Sequence, residues 1–430
     1  MGIILHLFVA AIGMFLYNKR QRGWFVVILY MVMTSFFGYL PVGNVGKDIS
    51  VLMIACTLIL TPKCDYLNCD SIKKWIIILL SYYGIRCLCS ILLGEEEAVR
   101  ALKLVRLEYG LIAYFALKRI PLNELKKALN ILLYFTVPLC IIHIIHVLSG
   151  QADYTSSIAG RDYMSIRMGL IPNTAIPFFA YLFLKQRRST KDWFFWVIIA
   201  SSVVLGNVRG LFLSLIITTV VFIIRQGNFK YLFWGVLIIP IMWSKFNDNS
   251  QKEDTMTELS ATLANLRGSG ISDADIPEGN LEFRIILVME RCAYLSEDIS
   301  RLLFGIGAIE ERSPNNKLSF VIGSGNLDEN GIYYRQQIET TDVAFITNTL
   351  RYGFIYLIIF VSFIVAIYKT GFRYKSIYSD IAIFSITVYL IAAPTNNYLS
   401  SMGYLFPLLL SIVTGVKDCK CNNINEVWGN

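Results

Sequence analysis

Apolar runs of membrane length, separated by short polar and mostly basic breaks, fill nearly the whole chain, and the pattern is interrupted at length only between residues 244 and 341. A helix that crosses a bilayer needs about 20 predominantly apolar residues. That length places spans near 2–17, 23–40, 49–61, 75–93, 98–118, 129–149, 169–184, 193–207, 210–224, 231–243, 343–368, 380–398 and 403–416. The expected fold is an all-α polytopic membrane protein of about 12 or 13 transmembrane helices with one large outer loop. Residues 1–243 then hold the first group of spans, 244–341 the loop, and 342–430 the last spans and a cytoplasmic tail.

The loop reads as two parts. Residues 245–280 are rich in Ser, Asp, Glu and Gly and read as irregular. From Ile285 the apolar residues fall at Val288, Cys292, Leu295, Ile299 and Leu302, in steps of three and four, so 281–304 is expected to form one amphipathic helix. Its polar face carries Glu290, Arg291, Glu297, Asp298 and Arg301, with Arg284 at its start, and Gly305 and Gly307 break it; 312–340 is again loop. Such a helix lies along a membrane surface or lids a cavity.

Composition rules out an ordinary soluble domain: 55% of the 430 residues are hydrophobic and only 16% charged, against about 25% in soluble proteins. The formal charge of +8 conceals an asymmetry, since acidic residues lead 17 to 9 between Lys245 and Asp342 and basic residues lead 30 to 14 elsewhere. Basic short loops mark the cytoplasmic side, and a long acidic loop is free to lie outside. Lys19-Arg20, Lys73-Lys74, Lys118-Arg119 with Lys126-Lys127, Arg187-Arg188, Arg225 with Lys230, and Lys369 with Arg373 and Lys375 therefore fall inside. The charge reports topology, and no nucleic-acid partner is expected. The apolar start lacks a preceding positive charge and a small-residue cleavage pattern, so a retained helix is expected. Only Cys292 belongs to the outer loop, which excludes an outer disulfide within one chain.

Charges inside spans are costly and are functional candidates by default. Arg86 is mid-span, and Arg100, Lys103 and Arg106 share one helix face, either snorkelling to lipid headgroups or lining a site for an anionic headgroup. Segment 150–168 offers Arg161, Arg167 and Tyr163 as a substrate wall. Arg209 is held in the hairpin Gly206-Asn207-Val208-Arg209-Gly210, where its fork suits phosphate oxygens, or where it anchors a helix end. Asp342 stands where the next span begins, as a base or as an N-cap.

The order of these parts resembles the O-antigen polymerase and O-antigen ligase superfamily. The residues that carry the resemblance are Arg209-Gly210 between two spans, Arg284 opening the amphipathic helix, Gly305-Ile306-Gly307 at its end, and Asp342 eleven residues before Gly353. It covers roughly residues 150 to 370. The resemblance implies a helical glycosyltransferase of the GT-C kind in the bacterial inner membrane. Its substrate would be an undecaprenyl-diphosphate-linked oligosaccharide on the outer leaflet, with membrane lipid and a chain-length regulator protein as further partners. Ligases of the superfamily have a histidine where this chain has Asp342-Val343, which favours the polymerase branch.

Transfer from a lipid diphosphate needs an acceptor hydroxyl, a base for its proton and positive charge for the departing diphosphate. Asp342 is the expected base, and Arg209 and Arg284 the expected diphosphate contacts. Arg161, Arg167, Tyr163, Arg86, Arg100 and Arg106 are expected to touch substrate. The outer face shows no carboxylate cluster, so neither a metal nor any other cofactor is expected. A ligase, or an exporter or flippase without chemistry, is the alternative reading.

Overall fold

The computed structural model describes residues 2–36, 45–61, 70–105, 108–149, 172–206, 209–226, 281–320, 322–323, 325–327, 333–340, 343, 345–396 and 398–428. Helices α1 (Gly2–Asn18), α2 (Arg22–Met33), α3 (Val45–Leu60) and α4 (Ser71–Leu92) are followed by α5 (Ala98–Val105), a 3-10 turn (Glu108–Ile112) and α6 (Ala113–Lys118). Next come α7 (Leu122–Leu148), α8 (Ala175–Leu184), α9 (Thr190–Leu205) and α10 (Arg209–Gln226). The loop contributes α11 (Leu281–Ser296), α12 (Ile299–Phe304) and an antiparallel pair, β1 (Gly325–Leu327) and β2 (Tyr333–Arg335). The chain closes with α13 (Ile346–Arg373), α14 (Ile377–Ala392) and α15 (Met402–Trp428).

Among the described residues, four stretches are long and apolar enough to cross a membrane: α4, α7, α13 and Met402–Cys421 of α15. Shorter apolar helices are α1, α2, α8, Gly210–Arg225 of α10, and α14. The chain is a helical membrane protein. Large apolar side chains such as Ile85, Leu88, Ile358 and Phe194 remain exposed on the helix exteriors, as lipid-facing positions require. The main core joins α2, α4, α7, α8, α13, α14 and the first half of α15.

Local chemistry sets the helix ends. The Asp70 carboxylate accepts from the backbone N–H of Ile72 and starts α4, and Ser189 and Asp192 form a capping box on α9. Both starts belong to one end of the bundle, which also gathers the ion pairs Lys118–Asp70, Lys126–Asp418, Lys185–Asp192 and Arg225–Asp380. The basic loops assigned to the inside therefore converge on a single end, and the loop segment 281–340 covers the opposite one.

The structure differs from the sequence expectation in several places, among them the β1–β2 pair inside the expected loop 312–340. The expected single span 98–118 is divided among α5, the 3-10 turn and α6, and a Cβ at Gly110 would meet the Met402 side chain. The expected helix 281–304 breaks at Glu297–Asp298, where Asp298 caps α12 by accepting from Ser300 N–H at 2.8 Å. The expected tail after residue 416 continues as helix to Trp428. The expected span 231–243 and segment 245–280 lie outside the described residues.

Candidate functional site

The site is built around a break in α13. Gly353 has φ 74° inside that helix, a left-handed conformation that interrupts the hydrogen-bond ladder. The interruption frees backbone carbonyls, and each must find another donor. The Leu350 carbonyl accepts from Ile306 N–H and the Arg351 carbonyl from Gly307 N–H, both at 2.9 Å. The Tyr352 carbonyl accepts from the Tyr82 hydroxyl of α4 at 2.5 Å. The Gly305-Ile306-Gly307 strap and α4 thus take over the bonds that α13 gives up.

Glycine is required on both sides of this junction. A Cβ at Gly353 would collide with the Leu303 carbonyl, and one at Gly305, itself at φ 73°, with the Arg351 carbonyl. Beyond the strap, Ala308 N–H donates to Ser90 Oγ at 2.8 Å, and Glu96 accepts from Glu310 N–H and Ser313 Oγ, each at 2.9 Å. The two glycine features singled out in sequence therefore meet backbone to backbone.

Arg86 lies beneath this strap, one helical turn after Tyr82. It is 9% exposed, and its guanidinium carbon stands 5.9 Å from the centre of the Phe304 ring, the last residue of α12. Its Nε has no hydrogen-bond partner, and no carboxylate lies within 4.0 Å among the described residues. A cation removed from water without a counter-ion is expensive, and inside a membrane span it is a functional candidate by default.

A second polar group adjoins it. The carboxylate of Glu108 faces the Tyr83 hydroxyl and the Asn348 amide, with the Arg351 and Lys47 cations within electrostatic reach. Asn348 Nδ2 also donates to Tyr356 Oη at 3.2 Å, and the Tyr83 and Tyr352 rings meet edge to face at 4.9 Å. Sequence reading passed over Glu108, Tyr82 and Asn348. The legible sign was a carboxylate in an otherwise apolar stretch.

The loop covering the site is held by two buried charges. Arg291 of α11 is fully buried and donates to the carbonyls of Leu287, Ile322 and Gln337 at 3.2, 3.0 and 3.0 Å. Burial lowers its pKa to about 10, opposed by Glu290 and Glu311, so it stays charged at neutral pH. Glu311 accepts from the N–H groups of Gln337, Ile338 and Glu339 at 2.6, 2.7 and 2.7 Å. Segment 312–340, expected as plain loop, is thereby tied down at Ile322 and at Gln337–Glu339.

Of the expected site residues, Arg284 is half-buried on α11, next to Phe283, which packs with Ile322, Val343 and Ile346. This brings the helix carrying Arg284 against the residues that follow Asp342. Arg100 is engaged elsewhere: it pairs with Glu97 at 3.3 Å and donates to the Arg312 carbonyl at 3.1 Å, pinning the loop. Arg209 is the first residue of α10, and the adjoining Gly210 abuts Thr395 after α14. Asp342, Arg106, Arg161, Tyr163 and Arg167 lie outside the described residues.

Fold and site together define a helical membrane protein with a buried cationic centre under a loop-borne glycine strap. No protein-family model matches the chain, and no curated protein matches it.

Proposed function

We propose that the protein is an integral-membrane glycosyltransferase that polymerises lipid-linked oligosaccharide repeats at the outer face of the bacterial inner membrane. The observation that carries this reading is Arg86, a buried arginine with no carboxylate within 4.0 Å among the described residues, under a strap that joins the loop to the bundle. Such a centre fits the diphosphate of an undecaprenyl-linked donor, whose polyprenyl chain suits the apolar helix exteriors. Arg284 and Arg209 are the further contacts to the diphosphate expected from the sequence.

In the reaction the acceptor hydroxyl oxygen attacks the anomeric carbon of the donor, and the bond from that carbon to the diphosphate oxygen breaks. The proton passes to the Asp342 carboxylate, and the diphosphate leaves on its lipid with its charge held by the arginines.

Purified protein given lipid-linked repeats in detergent tests the reading, because an exporter has nothing to do without two compartments. Native protein is expected to lengthen the repeats. The helix after Asp342 starts at Ile346 with Phe345 at its N-cap, so Asp342 does not cap it. Asp342→Asn keeps the shape of the side chain and is expected to fold normally while losing about 10²- to 10⁴-fold in rate. No elongation of the cell's own repeats by native protein would remove the polymerase reading, and equal rates in both proteins would remove Asp342 as the base.

A further inference from the structure

At the end of the bundle opposite the strap, a cleft of about 220 Å³ is lined by Asp70, Ser71, Lys369, Thr370, Arg373, Tyr374, Val416 and Lys420. Three of these are cations, brought together by the end of α13 and the extension of α15. The one acidic residue is already committed. Asp70 accepts from Ile72 N–H at 3.0 Å with one oxygen, and from Lys118 Nζ at 3.1 Å and the Tyr114 hydroxyl with the other. Neither Lys369 nor Arg373 has a carboxylate within 4.0 Å among the described residues; Arg373 rests on the Tyr374 ring, 5.6 Å from its centre. Ser71 and Thr370 hydroxyls, 3.4 Å apart, complete the polar wall.

Basic residues at a cytoplasmic helix end are ordinary, and most are solvated. Here the charges converge on one concave site that also holds hydroxyl donors. We infer that this cleft binds a phosphate ester, separately from any chemistry under the strap. Two sources present that chemistry at this end: an anionic phospholipid headgroup of the inner leaflet, or a soluble phosphate compound. A cation near an anionic headgroup contributes roughly fivefold in affinity.

Native mass spectrometry of the full-length protein in detergent, titrated with phosphatidylglycerol, phosphatidylcholine or inorganic phosphate, tests the site. Preferential retention of phosphatidylglycerol alone assigns a lipid headgroup; retention or competition by inorganic phosphate assigns the bare phosphate group. In either case Lys369→Gln with Arg373→Gln is expected to weaken binding about 25-fold. Both positions are exposed, so the fold is expected to survive. Lys73→Gln with Lys74→Gln removes the same charge at the same end without touching the cleft, and is expected to change binding less than about threefold. Equal loss in the two double variants would replace the site by a general basic field, and no preference of native protein for either anion over phosphatidylcholine would remove it.

Discussion

Two arginines of similar burial show how differently this chain uses the same side chain. Arg291 is 0% exposed and surrounded by carbonyls, whereas Arg86, 9% exposed, has an aromatic ring and no hydrogen-bond acceptor among the described residues. The first is a tie that closes the loop on itself, its cost offset by bonds that the loop backbone could not otherwise make. The second is a charge with no hydrogen-bond or ion-pair partner among the described residues. A buried charge is informative only together with its partners: a satisfied one explains a fold, and an unsatisfied one calls for a ligand.

The largest expected effect falls on the tied arginine. Arg291→Leu fills the space but leaves the Ile322 and Gln337 carbonyls without donors, at about 2–5 kcal/mol in total. The loss should be local. Proteolysis and hydrogen exchange are expected to show segment 305–340 opening while the helices that span the membrane stay protected. If the whole protein unfolded instead, the loop would be part of one cooperative unit with the bundle.

Gly353→Ala comes next, at about 2–4 kcal/mol, from a left-handed φ and a collision with the Leu303 backbone. It acts on the strap and so distinguishes the two regions: Phe304 is expected to shift from Arg86 while the Arg291 bonds persist. Thermal unfolding gives the magnitude, and protection of the Ile306 and Gly307 N–H groups reports the junction. Unchanged protection of both would show that the strap does not need the break in α13.

The sequence made much of this arrangement visible and hid the rest for physical reasons. Apolar length gave α1, α9 and α10 to within about three residues of their ends, because in lipid a helix is the way a backbone satisfies itself; it missed the first turns of α7, which carry Glu124, Lys126 and Lys127, and ran past the end of α14. The glycines at 305, 307 and 353 were legible as punctuation, but periodicity cannot show that two distant breaks share hydrogen bonds. The roles of Arg291 and Arg100 were illegible for the same reason: their partners, Gln337 and Arg312, are backbone carbonyls far along the chain, which leave no mark in residue type. Arg86 stood out because one charge in an apolar run is conspicuous by itself.

The smallest expected effect on stability is the sharpest test of the comparison. Arg86→Met keeps the length and apolar stem of the side chain and removes only the charge, so no acceptor among the described residues loses a donor. Replacing an uncompensated buried charge by an apolar residue of similar volume is neutral or stabilising, here by at most about 1 kcal/mol. If the charge exists to hold a diphosphate as it departs, its loss is expected to lower elongation at least about 10²-fold at unchanged protein level. Thermal unfolding and elongation by the same purified protein therefore move apart: stability steady, activity gone. A variant destabilised as much as Arg291→Leu would make Arg86 a structural tie like its counterpart, and a stable variant of full activity would leave the buried charge without a ligand to explain it.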